Sequence, residues 1–115
     1  MVQQVNVLPV TEWQKIPISE VTFDRTTTVG SSSTLVMAAN RYRSYAVFVN
    51  DSNEVIYLAI GGRAASMNSG IRLNASGGAY EINKHNLRKG AVYAICSSGS
   101  KVLCAEESET QYVAL

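Results

Sequence analysis

The sequence has few charged residues, few prolines and few residues suited to catalysis. Asp, Glu, Lys and Arg make up 17% of its 115 residues, the formal net charge is +1, and there are two prolines, two cysteines and one histidine. Because soluble proteins average about 25% charged residues, much of this surface must consist of small polar and apolar groups. A nearly neutral surface of this kind favours association with other proteins.

Two further absences exclude classes of partner. The basic residues are dispersed, with the densest group at residues 84–89, and no stripe could follow a phosphate backbone, so we expect no nucleic acid. The longest uninterrupted apolar run, residues 55–60, is far below the roughly 20 residues of a membrane span. The first residues also lack the basic and apolar regions of a signal peptide. We therefore expect synthesis in the cytoplasm and no membrane partner.

No residue pattern indicates catalysis, a cofactor or a metal site. His85 lies in a polar segment and is interpreted as a surface residue, and no nucleophile, phosphate-loop or dinucleotide motif occurs. The acidic segment at residues 106–109 is expected to be solvated, and no two carboxylates are paired for acid–base chemistry. We expect a protein that is not an enzyme. Cys96 and Cys104 are expected to be free, partly buried thiols, with a bridge between them left open.

Short runs of β-branched and aromatic residues alternate with Gly, Ser and Asn clusters, as in all-β domains. Residues 45–50 and 55–60 flank a polar turn and predict a hairpin, and residues 91–96 and 101–105 predict a second one. Residues 45–50 are apolar on both faces, which predicts a central strand covered on both sides. The spacing of eight or nine strands predicts a single-domain β-sandwich, jelly-roll-like. The predicted strands are residues 20–29, 34–38, 45–50, 55–60, 71–73, 79–82, 91–96 and 101–105.

The two ends differ from the centre of the chain. Both prolines lie in the first 18 residues, which we interpret as an extended N-terminal arm; residues 19–109 form the sandwich and residues 110–115 a C-terminal tail. Trp13 either covers the domain's own core, the favoured interpretation, or anchors a neighbour. Most tyrosines are expected to fill the core and its rim, whereas Tyr42 and Tyr112 are expected to be exposed.

A series of short motifs runs through residues 40–106: Asn-Arg-Tyr-Arg at 40–43, Ala-Val-Phe-Val-Asn at 46–50, Val-Ile-Tyr-Leu-Ala-Ile-Gly at 55–61, Gly-Ile-Arg-Leu at 70–73, Gly-Gly at 77–78 and Gly-Ala-Val-Tyr-Ala-Ile at 90–95. In this series residues 40–106 resemble small β-rich virion proteins of tailed bacteriophages. The resemblance implies a capsid decoration, or cement, protein that binds and stabilises a shell of the major capsid protein. The implied location is the capsid surface of a virion, after synthesis in the host cytoplasm.

The arm and the tail lie outside this resemblance, and extended termini can add strands to a neighbour's sheet. We expect a homo-oligomer, dimer before trimer. Two other functions stay open: a tail, baseplate or fibre accessory protein, and a carbohydrate-binding module. The expected partner-binding residues are Val5, Val7, Leu8, Trp13, Tyr42, Tyr112, Val113 and Leu115.

Overall fold

The computed structural model describes the backbone of residues 15–114 and the side chains of residues 20–110. In this part of the chain all regular secondary structure is β-strand, which confirms the predicted all-β fold. The strands pair into two antiparallel sheets that pack as a sandwich. They are β1 (Lys15–Asp24), β2 (Thr27–Val29), β3 (Thr34–Met37), β4 (Arg43–Asn50), β5 (Ile56–Ile60), β6 (Ile71–Leu73), β7 (Ala79–Ile82), β8 (Val92–Cys96) and β9 (Lys101–Ala114).

The first sheet, sheet A, has the strand order β1-β9-β4-β7, with β2 pairing with the start of β9. The second, sheet B, has the order β3-β8-β5-β6. Apart from β1–β2 and β5–β6, each connection carries the chain from one sheet to the other. This path is compatible with the jelly-roll arrangement expected from the sequence.

The core lies between the sheets and follows the period of two along each strand. On β4, Ala46 and Phe48 point inward, and on β5 the inward residues are Ile56, Leu58 and Ile60. Burying each large apolar side chain stabilises the fold by about 1.5–3 kcal/mol. The other inward residues are Val29, Val36, Met37, Leu73, Ile82, Val92, Ala94, Cys96, Leu103 and Ala105.

The two predicted hairpins are wrong, although their strands are in place. β4 lies in sheet A and β5 in sheet B, and β8 and β9 are divided in the same way. Two strands paired side by side and two strands facing each other across a core show the same alternation of apolar residues, so the sequence pattern does not distinguish them.

The β4–β5 connection is fixed by a buried polar side chain. Asn50 Nδ2 donates to the carbonyl oxygens of Glu54 (2.6 Å) and Leu73 (3.0 Å), and Ser52 Oγ donates to Asn50 Oδ1 (2.7 Å). The side chain is fully buried, and it joins the end of a sheet A strand to a sheet B strand. Asn50 ends the predicted strand, and its role as a link between the two sheets was not predicted from the sequence.

The strand covered on both sides is β5, whereas the sequence predicts this for β4. Every residue of β5 is buried, because residues 61–70 fold over the outer side of sheet B. In that loop Ala65 packs against Tyr57, Ala59 and Ile95, and Tyr57 Oη donates to Asn68 Oδ1 at 2.9 Å. The outward side chains of β4 are partly exposed, and no described residue covers them as the loop covers β5.

Candidate functional site

The most distinctive feature of the fold is a strand pair that continues past the sandwich. β4 pairs with β9 between Leu103 and Glu109, whereas β1 pairs with β9 from Glu106 to Ala114. Residues 15–19 and 111–114 therefore form a two-stranded extension, the terminal ribbon, with which no third strand of residues 15–114 pairs. The molecule is elongated, with principal dimensions of 66 × 21 × 18 Å. A 14-residue strand such as β9 spans about 46 Å.

Three of the predicted partner-binding residues lie at or next to this ribbon. In the backbone register Tyr112 is opposite Pro17, and Val113 is opposite Ile16. Tyr42 lies at the ribbon's base, where its carbonyl accepts a hydrogen bond from the Thr110 amide at 3.3 Å. Tyr42 is 45% exposed, as expected, and its ring lies under the Arg41 guanidinium. The other predicted residues, Val5, Val7, Leu8, Trp13 and Leu115, lie outside the described residues.

The predicted domain limits fall inside strands of the structure. β1 begins at Lys15 and runs through the proposed limit between residues 18 and 19. β9 runs from Lys101 to Ala114 and passes the proposed limit between residues 109 and 110. The backbone of residues 15–18 and 110–114 therefore continues sheet A.

A buried ionic cluster holds the base of the ribbon. Glu107 on β9 accepts one hydrogen bond from Arg43 Nε (2.7 Å) and one from Arg25 Nε (3.0 Å). Arg43 also donates to the carbonyl oxygens of Ala38, Arg88 and Gly90, and it is 1% exposed. This one guanidinium thereby links β4, β9 and the segments that precede β4 and β8. The expectation that residues 106–109 are solvated is wrong for Glu107, which is 1% exposed.

The pKa of Glu107 reflects two opposing effects. Burial raises this pKa, but the hydrogen bonds from Arg43, Arg25 and Asn40 and the charge of Arg43 together lower it by more, so it lies below the ordinary value for Glu. The carboxylate is thus kept ionised beside two guanidinium groups. Such a buried charge is tolerated because it is paired and hydrogen-bonded.

Sequence reasoning missed this cluster, although one signal pointed to it. Glu107 continues the inward series of β9 after Leu103 and Ala105, so the period of two already placed its carboxylate in the core. A buried carboxylate needs a cation. The period of two does not identify Arg43 as that cation, because a register shift between Arg43 and Tyr45 brings its side chain inward.

Further polar contacts fix the direction in which the ribbon leaves the sandwich. Thr22 and Ser108 share a hydrogen bond of 3.0 Å between β1 and β9, and Ser44 and Thr110 share one of 2.9 Å between β4 and β9. Asn40 Nδ2 donates to Glu109 Oε2 at 2.8 Å. Ser108, Glu109 and Thr110 of β9 are therefore each held by a side-chain hydrogen bond just before the ribbon begins.

A shallow groove of about 340 Å³ lies beside the cluster, between the end of β3 with the segment that follows it and the inward side of β9. One wall is apolar and the other carries the charged groups, and the Arg25 guanidinium packs over the Phe23 ring at 4.6 Å. The charges at this wall balance, with two Glu facing Arg25 and the adjacent Arg43. The lining residues are Arg25, Val36, Met37, Ala38, Ala39, Asn40, Glu107 and Glu109.

The residues with reactive side chains are dispersed. Across the described residues no three His, Cys, Asp or Glu side chains come together as a metal site would require. His85 is exposed. Cys96 and Cys104 are free thiols, as expected; Cys96 is buried, and burial raises its pKa. No helix in the described part of the chain has the length and apolarity to cross a membrane.

Comparison with known proteins provides a fold relationship. No family model and no curated protein matches the sequence. A solved structure of Bacillus endospore appendages, described as a novel family of disulfide-linked pili, superimposes with a TM-score of 0.55 over 92% of this chain and 98% of that chain. The two sequences are 16% identical. At this identity the likeness establishes a shared β-sandwich fold.

Proposed function

We propose that this protein is a non-enzymatic structural subunit that joins a multi-copy protein assembly by strand addition at the terminal ribbon. The observation that carries the proposal is the ribbon itself, whose two outer backbone edges meet no other strand among residues 15–114. Open edges of this kind are templates for pairing with another chain. A two-stranded ribbon is marginal by itself in water, so a third strand from a neighbour would stabilise it.

The base of the ribbon supports the same proposal. Strand addition is favoured when the edge is presented in a defined direction, since each disordered residue must be ordered on binding. The Arg43–Glu107–Arg25 cluster and the hydroxyl pairs on β9 hold the base in place. Even a small interface then suffices when many copies bind one assembly, because avidity multiplies the contacts.

The surface that we propose as the partner is a bacteriophage capsid shell, built from the major capsid protein. This choice comes from the resemblance of residues 40–106 to phage virion proteins, and it makes the chain a decoration protein on the capsid surface. The homo-oligomer, dimer before trimer, belongs to the same proposal.

A second candidate is a filament subunit. The observation that favours it is the shared fold with the endospore appendage protein, whose assembly is described as a pilus. In both cases the protein acts through contacts between copies or with a scaffold. The two candidates differ in the object on which the protein is found.

Two truncations test the role of the ribbon. Removing residues 1–18 deletes most of one ribbon strand, whereas removing residues 1–14 leaves β1 intact and serves as the matched control. Tagged full-length and truncated proteins are produced in the native source, and gold-labelled antibody locates them by electron microscopy. Label on shells supports decoration, and label on fibres supports the filament.

We expect the 1–18 truncation to lose incorporation while its thermal unfolding stays cooperative, because the ionic cluster and the core remain. The 1–14 truncation measures how much residues 1–14, which precede β1, contribute to incorporation. Unchanged occupancy of the 1–18 truncation would show that the ribbon is not the attachment site.

A further inference from the structure

The outer surface of sheet A carries a row of carboxylates. Asp24 on β1 is directly opposite Glu106 on β9, Glu106 is opposite Val47 on β4, and Val47 is opposite Glu81 on β7. All three carboxylates are exposed, and Glu20 lies further along β1 on the same side. Among the described side chains this surface, the acidic face, has no Lys or Arg. Its centre is apolar and is formed by Val47, Val49, Val102 and Cys104.

This arrangement is unfavourable in an isolated molecule. Like charges directly opposite each other on neighbouring strands destabilise a sheet, and Asp24 and Glu106 are such a pair. A hydrogen bond from the Thr26 amide lowers the pKa of Asp24, so this group stays ionised. Sites where local chemistry conflicts with the fold are often functional. A cationic partner would remove the repulsion.

The opposite side of the molecule has the complementary charge. Sheet B and the loop of residues 61–70 that covers it contain Arg63 and Arg72 and no Asp or Glu. Arg72 is opposite Tyr57 and points outward, and Met67 adds an exposed apolar group. Glu54, at the end of this sheet, already accepts hydrogen bonds from Ser97 and Ser98. We call this surface the basic side.

We propose that copies of this protein stack head to tail, with the acidic face of one copy on the basic side of the next. Arginine pairs with carboxylates through its planar fork of donors, and the exposed Met67 side chain of the basic side is available to the apolar centre of the acidic face. An acidic face repels a second acidic face, which excludes a two-fold contact through this surface. The contact is therefore heterologous and extends from copy to copy.

The size of the acidic face sets the strength of the contact. Four strands spaced about 4.8 Å apart and about six residues long make a surface of roughly 400 Å². This is about half of the roughly 800 Å² that each partner buries in a standard interface. A single contact is accordingly weak and sensitive to salt. The inference builds on the proposed role as an assembly subunit but uses a surface distinct from the ribbon, so either can fail alone.

Charge reversal with matched controls tests the stacking. Sedimentation velocity of the full chain is measured with a chelator at low ionic strength, where the Debye length is about 30 Å, and again at about 1 M salt. We expect concentration-dependent association at low salt that is lost at high salt. Glu106→Lys should weaken association about tenfold or more. Asp51→Lys, which changes the net charge equally at an exposed site beside Val102 at one end of the acidic face, should weaken it less.

The basic side is tested in the same way. Arg72→Glu should abolish association, whereas Lys84→Glu, its charge-matched control, should not. Mixing the Glu106→Lys and Arg72→Glu proteins should restore it, because the unchanged acidic face of Arg72→Glu meets the unchanged basic side of Glu106→Lys, and the two reversed surfaces are again complementary. Glu106→Lys should also raise the melting temperature, since the introduced ammonium group would face Asp24.

Several outcomes would overturn the proposal. These are a wild-type protein that stays monomeric at low salt, equal effects of Glu106→Lys and Asp51→Lys, or no restoration in the Glu106→Lys and Arg72→Glu mixture. Association that requires added calcium would assign the acidic face to a metal ion instead. If stacking fails but the 1–18 truncation still abolishes incorporation, the proposed function stands without this inference.

Discussion

Arg43 and Glu107 form a buried ion pair, with Arg43 Nε 2.7 Å from Glu107 Oε2. The pair joins β4 to β9 at the point where the terminal ribbon leaves the sandwich. Every nitrogen of the Arg43 guanidinium donates to a carboxylate or a carbonyl oxygen. Removing one member of such a pair leaves a buried charge without compensation, which makes the pair a sensitive point of the fold.

Replacing Glu107 by Gln should lower the free energy of unfolding by about 3–5 kcal/mol. The amide has one acceptor oxygen and no charge, so it cannot neutralise Arg43 and Arg25. Urea unfolding followed by circular dichroism measures the loss. The control is Glu106→Gln at the adjacent exposed position, which should change stability by no more than about 0.5 kcal/mol. Equal losses in the two variants would contradict a special role for the buried pair.

The same pair predicts a dependence of stability on pH. The folded-state pKa of Glu107 lies below its ordinary value, so the unfolded chain binds more protons in acid than the folded one. The stabilisation is complete above the unfolded pKa of about 4.3 and is lost as the pH falls through the lowered folded pKa. Urea midpoints measured from neutral pH into acid should show this fall. The fall of the urea midpoint in acid should be shallower in Glu107→Gln. An equal fall in the two proteins would contradict the assignment of this pH dependence to Glu107.

Replacing the side-chain amide of Asn50 by a carboxylate should destabilise the fold. In Asn50→Asp an acceptor would face the carbonyl oxygens of Glu54 and Leu73, and we expect a loss of about 2–3 kcal/mol or more. Asn53→Asp is the matched control, because Asn53 is exposed and uses its oxygen to accept from Lys101 Nζ. Thermal unfolding of both variants tests this. A similar melting temperature for the two would contradict the proposed link between the sheets.

The two cysteines should differ in reactivity and should not bridge within one molecule. Cys96 points into the core from sheet B, whereas Cys104 is partly exposed on the outer side of sheet A, and they pair with Ile56 and Val49 respectively. Burial raises the Cys96 pKa, which lowers its thiolate fraction. Alkylation of the native protein should therefore modify Cys104 first, as peptide mass spectrometry will show. Equal rates in the native protein, or an intramolecular disulfide, would contradict the fold.

The strand positions could be read from the sequence because they depend on local patterns. β-branched and aromatic runs set the strands. Of the glycine pairs at 61–62 and 77–78, which the pattern places in turns, all but Gly78 adopt positive φ. β9 extends beyond the predicted end at residue 105. The prediction was too short because Glu106, Glu107 and Glu109 look like a solvated segment when the hydrogen-bond partners of Glu107 and Glu109 are unknown. Those partners, Arg25, Arg43 and Asn40, lie more than 60 residues away in the sequence.

The sequence by itself determined an all-β sandwich, the positions of its strands, the free thiols and an exposed Tyr42. Tertiary structure decided which strands pair, which strand is covered on both sides and where the carboxylates lie. The physical reason is the distance along the sequence over which each interaction acts. Side-chain alternation and turn preference act over a few residues, whereas strand order, ion pairing and the charge of a whole face depend on segments that meet only after the chain has folded.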